Sequence, residues 1–308
     1  MNAKFAMYVL KRLGMAILTI FLVITITFFV MHAIPASPFS SEKAKSEQVI
    51  QALEEKYGLN KPLGEQYIIY LKNVLRLDFG DSVRRAGQNV FQYLMAGFRY
   101  SSMLGVSAAF LAITLGVILG SIAALNRGKF LDKVIQVSTT ALVSMPSFVI
   151  ATILLLIFAQ YLKWFPVMAT KPGGMFLPIF ALSLYPMAYI TRLERSSMLD
   201  VLGQDYIRTA RAKGVAGWKV IFKHALKNAL NPVITYAGPM MASILTGAMV
   251  VEQIFQVPGM GRKFVDAMTN TDYTVIMGGT IILASLIVLL NFVSDILCKI
   301  MDPRIDLS

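Results

Sequence analysis

The two histidines and the one cysteine of this sequence have no metal-ligand spacing, and no nucleophile elbow appears. His32 and His224 stand far apart with no paired-ligand spacing. Cys298 is alone, which excludes an intrachain disulfide and a thiolate metal site. No stretch reads G-x-x-x-x-G-K-[ST]. The nearest phrase, Arg127-Gly128-Lys129, lacks the upstream glycine and the following hydroxyl, so this chain is expected neither to bind nor to hydrolyse ATP. The patterned charge that remains is basic and lies in residues 193–229. There Tyr206, Ala210 and Lys213 fall at i, i+4 and i+7, Gly214 and Gly217 break the run, and a second helical stretch starts at about Trp218. Val220, Ile221, His224, Ala225 and Leu226 give that stretch its apolar surface. Two short helices about a glycine turn make a compact protrusion, where a purely solvated basic loop would carry no such pattern.

The elements that must carry this protrusion are membrane spans. Of 308 residues, 56% are hydrophobic and 15% charged, against about 25% charged in soluble domains. That deficit excludes an ordinary water-soluble enzyme and a disordered regulator. Six runs lack Asp, Glu, Lys and Arg: 13–41, 100–126, 134–162, 172–191, 228–251 and 273–294. Each is long enough for a helix to cross the hydrocarbon core, and lipid offers no partner to a bare backbone amide. The expected spans are 12–32, 100–124, 135–161, 175–192, 230–254 and 275–297. The net charge of +12 then reads as topology, not as nucleic-acid binding. With the N-terminus inside, the inner segments hold most of the Lys and Arg, while the short outer loops hold only Lys163, Lys171, Arg262 and Lys263. Both termini are expected to be cytoplasmic. The first span, with its apolar run from Leu13 to Met31 followed by His-Ala-Ile-Pro, reads as a retained anchor and not as a cleaved signal.

Three regions follow: an anchor helix over 1–32, an external helical segment over 33–99, and a five-helix core over 100–308 that includes the loop 193–229. In the external segment, Ser46–Tyr57 reads as a helix stopped by Gly58, and Pro62 opens a second helix. Leu63, Tyr67, Tyr70, Leu71 and Val74 share one face of that helix. Asp78-Phe79-Gly80-Asp81-Ser82 reads as a turn, and Asn89 to about Phe98 as a third amphipathic piece. The segment reads equally as a cap on the outer mouth and as a docking surface for an external partner.

Within the spans, Pro146 and Pro186 read as hinges, pathway-lining breaks or plain packing, and Gly116-x-x-x-Gly120 as a close helix contact. Ser144, Ser147, Thr235, Tyr236, Ser243 and Thr246 are polar at mid-depth. They suit either a wet pathway that passes peptide bonds without gripping them or hydrogen bonds between helices. Glu252, near the outer end of the fifth span, reads as a gate, as a contact for an external protein, or as a carboxylate kept hydrated at the interface. His224 reads as a packed residue of the protrusion.

On these residues the sequence resembles the permease subunits of binding-protein-dependent (MetI-like) ABC importers, most nearly the B-type permease of oligopeptide and dipeptide importers. The cytoplasmic motif of that family, Glu-Ala-Ala, three residues, then Gly, aligns here as Arg208-Thr209-Ala210-x-x-x-Gly214. The second Ala and the Gly match, while Arg208 and Thr209 depart within Asp-Tyr-Ile-Arg-Thr-Ala-Arg-Ala-Lys-Gly. Further matches are Met145-Pro146-Ser147-Phe148, His224-Ala225-Leu226-x-Asn228-Ala229-Leu230-x-Pro232, Val251-Glu252-Gln253-Ile254-Phe255-x-x-Pro258-Gly259-Met260-Gly261-Arg262, Asp78-Phe79-Gly80-x-Ser82 and Asp302-Pro303-Arg304.

The resemblance implies an all-α, six-span, N-in/C-in protein of the bacterial inner or plasma membrane. It also implies a second homologous permease, two cytoplasmic ATPases holding ATP and Mg, and an external substrate-binding protein. Asp205, Tyr206, Arg208, Thr209, Ala210, Arg211, Lys213 and Gly214 would couple the spans to an ATPase. The chain itself would hold no cofactor or metal, bind no nucleic acid, perform no catalysis, and form half of a path for oligopeptides. Dipeptides, nickel chelates or glutathione are alternative cargoes. An ion-driven secondary transporter is one rival, and it would call for acidic residues at the span centres; a membrane scaffold without transport is another, and it would leave the patterned Asp205–Pro232 loop without a purpose.

Overall fold

The computed structural model describes residues 3–33, 60–85 and 87–301, without the side chains at 3, 4, 245–247, 300 and 301. The helix expected over Ser46–Tyr57 and the Asp302-Pro303-Arg304 motif lie outside the described residues. Within them every regular element is helical. The elements are α1 (Ala3–Ala33), α2 (Leu63–Leu75), α3 (Val90–Leu125), α4 (Phe130–Ser144), α5 (Ser147–Leu154), α6 (Phe176–Leu202), α7 (Asp205–Ala212), α8 (Gly217–Lys219), α9 (Leu226–Ala229), α10 (Asn231–Ile254), α11 (Met260–Thr269) and α12 (Tyr273–Met301). Two π-helical stretches, Leu155–Tyr161 after α5 and Val220–Ala225 between α8 and α9, complete the set.

Four of these helices, α1, α3, α6 and α12, are long and apolar enough to cross a membrane, and two bent pairs raise the number to six. Each of the six overlaps one of the six charge-free runs, as far as these are described. Two details differ from expectation. The piece read as a separate helix over Asn89–Phe98 is the first part of α3, which runs unbroken for 36 residues. At about 1.5 Å per residue that is some 54 Å, far more than the roughly 30 Å of hydrocarbon. A change from amphipathic to apolar composition at Arg99 alters the solvent a helix needs and does not stop its backbone. The third span is not one rod either. Its axis turns by 106° between Ser144 and Ser147. Met145 is extended (φ −89°, ψ 135°) and Pro146 opens α5. Proline lacks the N–H that would continue α4 and drives the residue before it out of helical geometry.

The chain divides into two compact units, Met1–Arg99 with Gly259–Leu289, and Tyr100–Pro258 with Leu290–Ser308. In the first, α2 lies on the outer end of α1. Phe28, 1% exposed, meets the rings of His32, Tyr67 and Tyr70 at 4.0–5.4 Å between centroids. The Thr25 and Tyr67 hydroxyls share a hydrogen bond of 2.7 Å. Tyr67, Tyr70 and Val74 thus use the apolar face read from the sequence.

In the second unit α6 is the hub. Of its most apolar window 61% is buried, against 11–39% for the other three unbroken spans. Its neighbours in the core include Leu104, Ile150, Met240 and Phe255. Close approach to α3 rests on the glycine pair. A Cβ at Gly116 would stand 2.7 Å from Ile190, and one at Gly120 would stand 2.7 Å from both the Glu194 side chain and the Thr191 carbonyl. Glycine is therefore the residue that lets α3 seat on α6.

Candidate functional site

The basic protrusion folds as two helical pieces about a glycine, and its ending explains the motif spacing. Helix α7 terminates with Gly214 in left-handed conformation at φ 72°. The Gly214 amide donates to the Arg211 carbonyl at 2.9 Å, and the Val215 amide reaches back to Ala210 at 3.2 Å. These two bonds close a Schellman motif, which places its left-handed residue four positions after the third-last helical residue. The Ala-x-x-x-Gly spacing is thus a helix-stop device. Ala210 and Val215 also pack against the same small core, the apolar contact that accompanies such a stop.

That core fixes the protrusion. Ile207 is fully buried among Ala124, Met198, Val220, Ala225 and Ala229. Ala124 sits at the inner end of α3 and Met198 near that of α6, so the protrusion is seated on both spans. The Asn228 side-chain amide donates to the Tyr206 hydroxyl at 2.9 Å and so joins the two pieces. Outward, Asp205, Tyr206, Arg208, Thr209, Arg211, Lys213 and Gly214 are exposed and Ala210 is half-buried. Asp205 and Arg208 form a loose surface pair at 3.6 Å, and Thr209 bonds back to the Asp205 carbonyl at 2.9 Å. Trp218 and Phe222, 63% and 64% exposed, stand among Lys219 and Lys223 on the same protrusion. The sequence reading gave Trp218 only as the start of the second helical stretch and did not single out Phe222. Their signal was an aromatic spacing of four on a helix whose buried positions, Val220 and Ala225, lie elsewhere. A Cβ at Gly214 would meet nothing within 4 Å of this chain, so the glycine answers to backbone conformation here.

The pathway candidates fall into three places. Ser144, Pro146 and Ser147 are exposed and flank the bend between α4 and α5. Thr235 and Ser243 are exposed on α10, Tyr236 is half-buried there, and Pro186 is buried inside α6. Thr246 lies among the side chains outside the description. The Tyr236 ring packs on Tyr189 of α6 at 4.4 Å between centroids. Tyr189 and Tyr185, each 41% exposed, form with Tyr236 a hydroxyl-bearing aromatic cluster. The sequence reading missed Tyr185 and Tyr189 because tyrosine scores as apolar within a span; their i, i+4 spacing was the available signal.

Glu252 departs from the hydrated interfacial carboxylate offered as one reading. It is 0% exposed, and Ser101 donates its hydroxyl to Oε1 at 2.5 Å. The groups it could share water with are replaced by protein, so it acts as an internal tie between α3 and α10. Among the described residues no cluster of three His, Cys, Asp or Glu is placed to hold a metal.

A family profile described as binding-protein-dependent transport system inner membrane component matches residues 116–307. The N-terminal profile of the same transport systems matches residues 5–97. The dipeptide transport system permease protein DppB of Bacillus subtilis is 46% identical over 303 residues, covering 98% of both chains. The oligopeptide transport system permease protein OppB of Haemophilus influenzae is 43% identical over 301 residues, covering 97% of this chain and 98% of that one. OppB of Salmonella typhimurium is 42% identical over the same length. Among solved structures, a chain of the inward-facing MetNI methionine ABC transporter superposes with a TM-score of 0.57 at 16% identity, covering 68% of this chain and 97% of that one. At that identity the likeness speaks for the fold.

Proposed function

Since this chain belongs to the family of binding-protein-dependent transport system inner membrane components, we propose that it forms half of the translocation pathway of an ATP-driven peptide importer. It is a multi-pass inner-membrane permease and not the ATPase; ATP is bound by separate subunits. Peptide is the cargo class shared by its dipeptide and oligopeptide relatives. A second, homologous permease supplies the other half of the path, two ATPases sit at the cytoplasmic face, and an external binding protein delivers the cargo and selects its length.

The observation that carries this reading is the protrusion itself, stopped by Gly214 and seated through Ile207 on the ends of α3 and α6. A rigid body fixed to two spans passes a displacement on, whereas a flexible loop absorbs it. Asp205, Tyr206, Arg208, Thr209, Ala210, Arg211, Lys213 and Gly214 are the surface that enters a cleft of the ATPase, with Trp218 and Phe222 beside them. Closure of the ATPase pair on ATP moves the protrusions and opens the cavity outward; hydrolysis returns it. Ser144, Pro146, Ser147, Pro186, Thr235, Tyr236, Ser243 and Thr246 line or hinge the path. The Tyr189–Tyr236 contact offers hydroxyls to peptide amides and ring faces to any side chain.

The test is reconstitution of the complete complex in vesicles with labelled peptide. Uptake is expected with ATP and the binding protein, and none with a proton gradient alone. Uptake that survives removal of ATP under a proton gradient would overturn the assignment.

A further inference from the structure

One polar cavity is lined by none of the residues of the protrusion or of the pathway candidates. It measures about 530 Å³ and is lined by Arg84, Arg85, Tyr93, Lys263, Asp266 and Asp272 among others. A second hollow of about 630 Å³ shares Arg85, Tyr93 and Lys263. Every lining residue belongs to the unit Met1–Arg99 with Gly259–Leu289. They come from the loop before α3, the start of α3, α11 and the turn into α12, all on the outer side in the N-in topology.

The charges here are arranged in an uncommon way. The Arg85 guanidinium and the Lys263 ammonium each stand 4.3 Å from the centroid of the Tyr93 ring. Lys263 Nζ also donates to the Tyr93 carbonyl at 2.6 Å. Neither cation makes an ion pair with a described residue. The nearby acids are otherwise engaged. Asp272 accepts a short hydrogen bond from the Ser82 hydroxyl and further bonds from Thr274 and the Val275 amide. Asp266 pairs with Arg262 at 3.9 Å. Arg84 is tied to the Asn270 carbonyl at 2.8 Å and to the Thr271 hydroxyl at 2.7 Å, which pins the wall, while Arg85 is exposed and Lys263 half-buried in the lining. Burial and the neighbouring Arg85 both hold the Lys263 ammonium below its ordinary range. The half-buried Lys263 ammonium beside the exposed Arg85 guanidinium is a pair of like charges, which Coulomb's law disfavours until an anion joins it.

We propose that Arg85 and Lys263, set about the Tyr93 ring, form a carboxylate-binding pocket that receives an acidic side chain of the external binding protein as it docks. The pocket rests on the importer reading, since only an importer of this kind has such a partner. A guanidinium fork matches a carboxylate in two bonds, and the ammonium adds a point charge beside it. The occupant is the docking protein and not the cargo, because no lining residue belongs to the unit that carries the pathway candidates. Charge pairs at such a rim set the association rate and its salt dependence more than the turnover that follows.

The experiment uses the complete transporter in phosphatidylcholine vesicles and in vesicles with added phosphatidylglycerol, with its binding protein titrated at low and high salt. The double variant Arg85→Gln with Lys263→Gln is expected to need about tenfold more binding protein for half-maximal ATP hydrolysis, with a flattened salt dependence. The charge-keeping variant Arg85→Lys with Lys263→Arg is expected to stay within about threefold of the parent, which separates lost charge from lost folding. Three results overturn the proposal. Half-saturation and its salt dependence do not move in a folded double variant. The shift appears with free-carboxyl peptides and vanishes with amidated ones, making the cargo the occupant. The shift appears only with phosphatidylglycerol, making lipid the occupant. A parent complex whose hydrolysis no binding protein stimulates overturns the importer reading itself, and the pocket's partner with it.

Discussion

Arg195 of α6 grips Asp132 of α4 by two parallel bonds, Nε to Oδ1 at 2.7 Å and Nη2 to Oδ2 at 2.8 Å. The Gly128 amide and the Gln136 side chain each add a donor at 2.9 Å. Asp132 is 1% exposed, so four donors stand in for all of its water. The clamp ties the inner end of the third span to the helix that leads into the protrusion, and movement of α6 therefore carries α4 with it.

Arg195→Ala leaves that carboxylate buried with two donors instead of four, and the expected loss is ~3 kcal/mol. Arg195→Lys keeps the charge but cannot reach both oxygens in one plane, so it falls between parent and alanine variant. Thermal unfolding of the purified complex checks the order. An alanine variant as stable as the parent would show that the pair contributes nothing.

This clamp also shows where the sequence stops being informative. The six spans were legible because lipid excludes charge, and an absence of Asp, Glu, Lys and Arg over 20 residues is visible one position at a time. The protrusion was legible because helical spacing and a glycine stop are local. Arg195 and Asp132 are 63 positions apart, and nothing in either neighbourhood names the other. For the same reason a hydrated interfacial carboxylate was one of the readings of Glu252. Arg85 and Lys263 around Tyr93 are likewise a product of the fold. The 106° turn at Met145-Pro146 was half legible: proline marks a break and leaves its angle to packing.

Gly214→Val tests the helix stop. At φ 72° a β-branched residue is strained by about 1–2 kcal/mol, and relief requires the Schellman bonds from Gly214 and Val215 to open. With no atom within 4 Å of the missing Cβ, the rest of the chain is undisturbed. The variant is expected to insert in the membrane at parental levels, to hydrolyse ATP, and to take up peptide at less than about a tenth of the parental rate. Parental uptake would mean that the stop does not matter for coupling.

Gly120→Val tests the seat of α3 on α6. Its side chain would begin 2.7 Å from the Thr191 carbonyl and the Glu194 Cβ, and a carbonyl inside a helix cannot step aside. Overpacking of this kind costs about 1–3 kcal/mol. The expected result is a lower unfolding temperature and poor assembly, while valine at Gly64, whose Cβ position is open, serves as the tolerated control.

Lys263 gives the pH dependence, with its sign. Burial first, and then the Arg85 charge, favour the neutral amine in the folded protein, so the folded value lies below the unfolded one. Between those two values the unfolded chain binds more protons, and stability rises as pH climbs through that window. Below it the penalty of the charged form is fully present. The groups around Lys263 are Arg85, the Tyr93 ring and carbonyl, and the acids Asp266 and Asp272 of the same cavity. In thermal unfolding from neutral to strongly alkaline pH, the parent is expected to gain stability relative to Lys263→Gln, while its affinity for the binding protein falls as the ammonium is lost. Opposite trends in the two measurements separate a desolvated docking cation from an ordinary surface lysine, for which the stability gap stays flat over the same range.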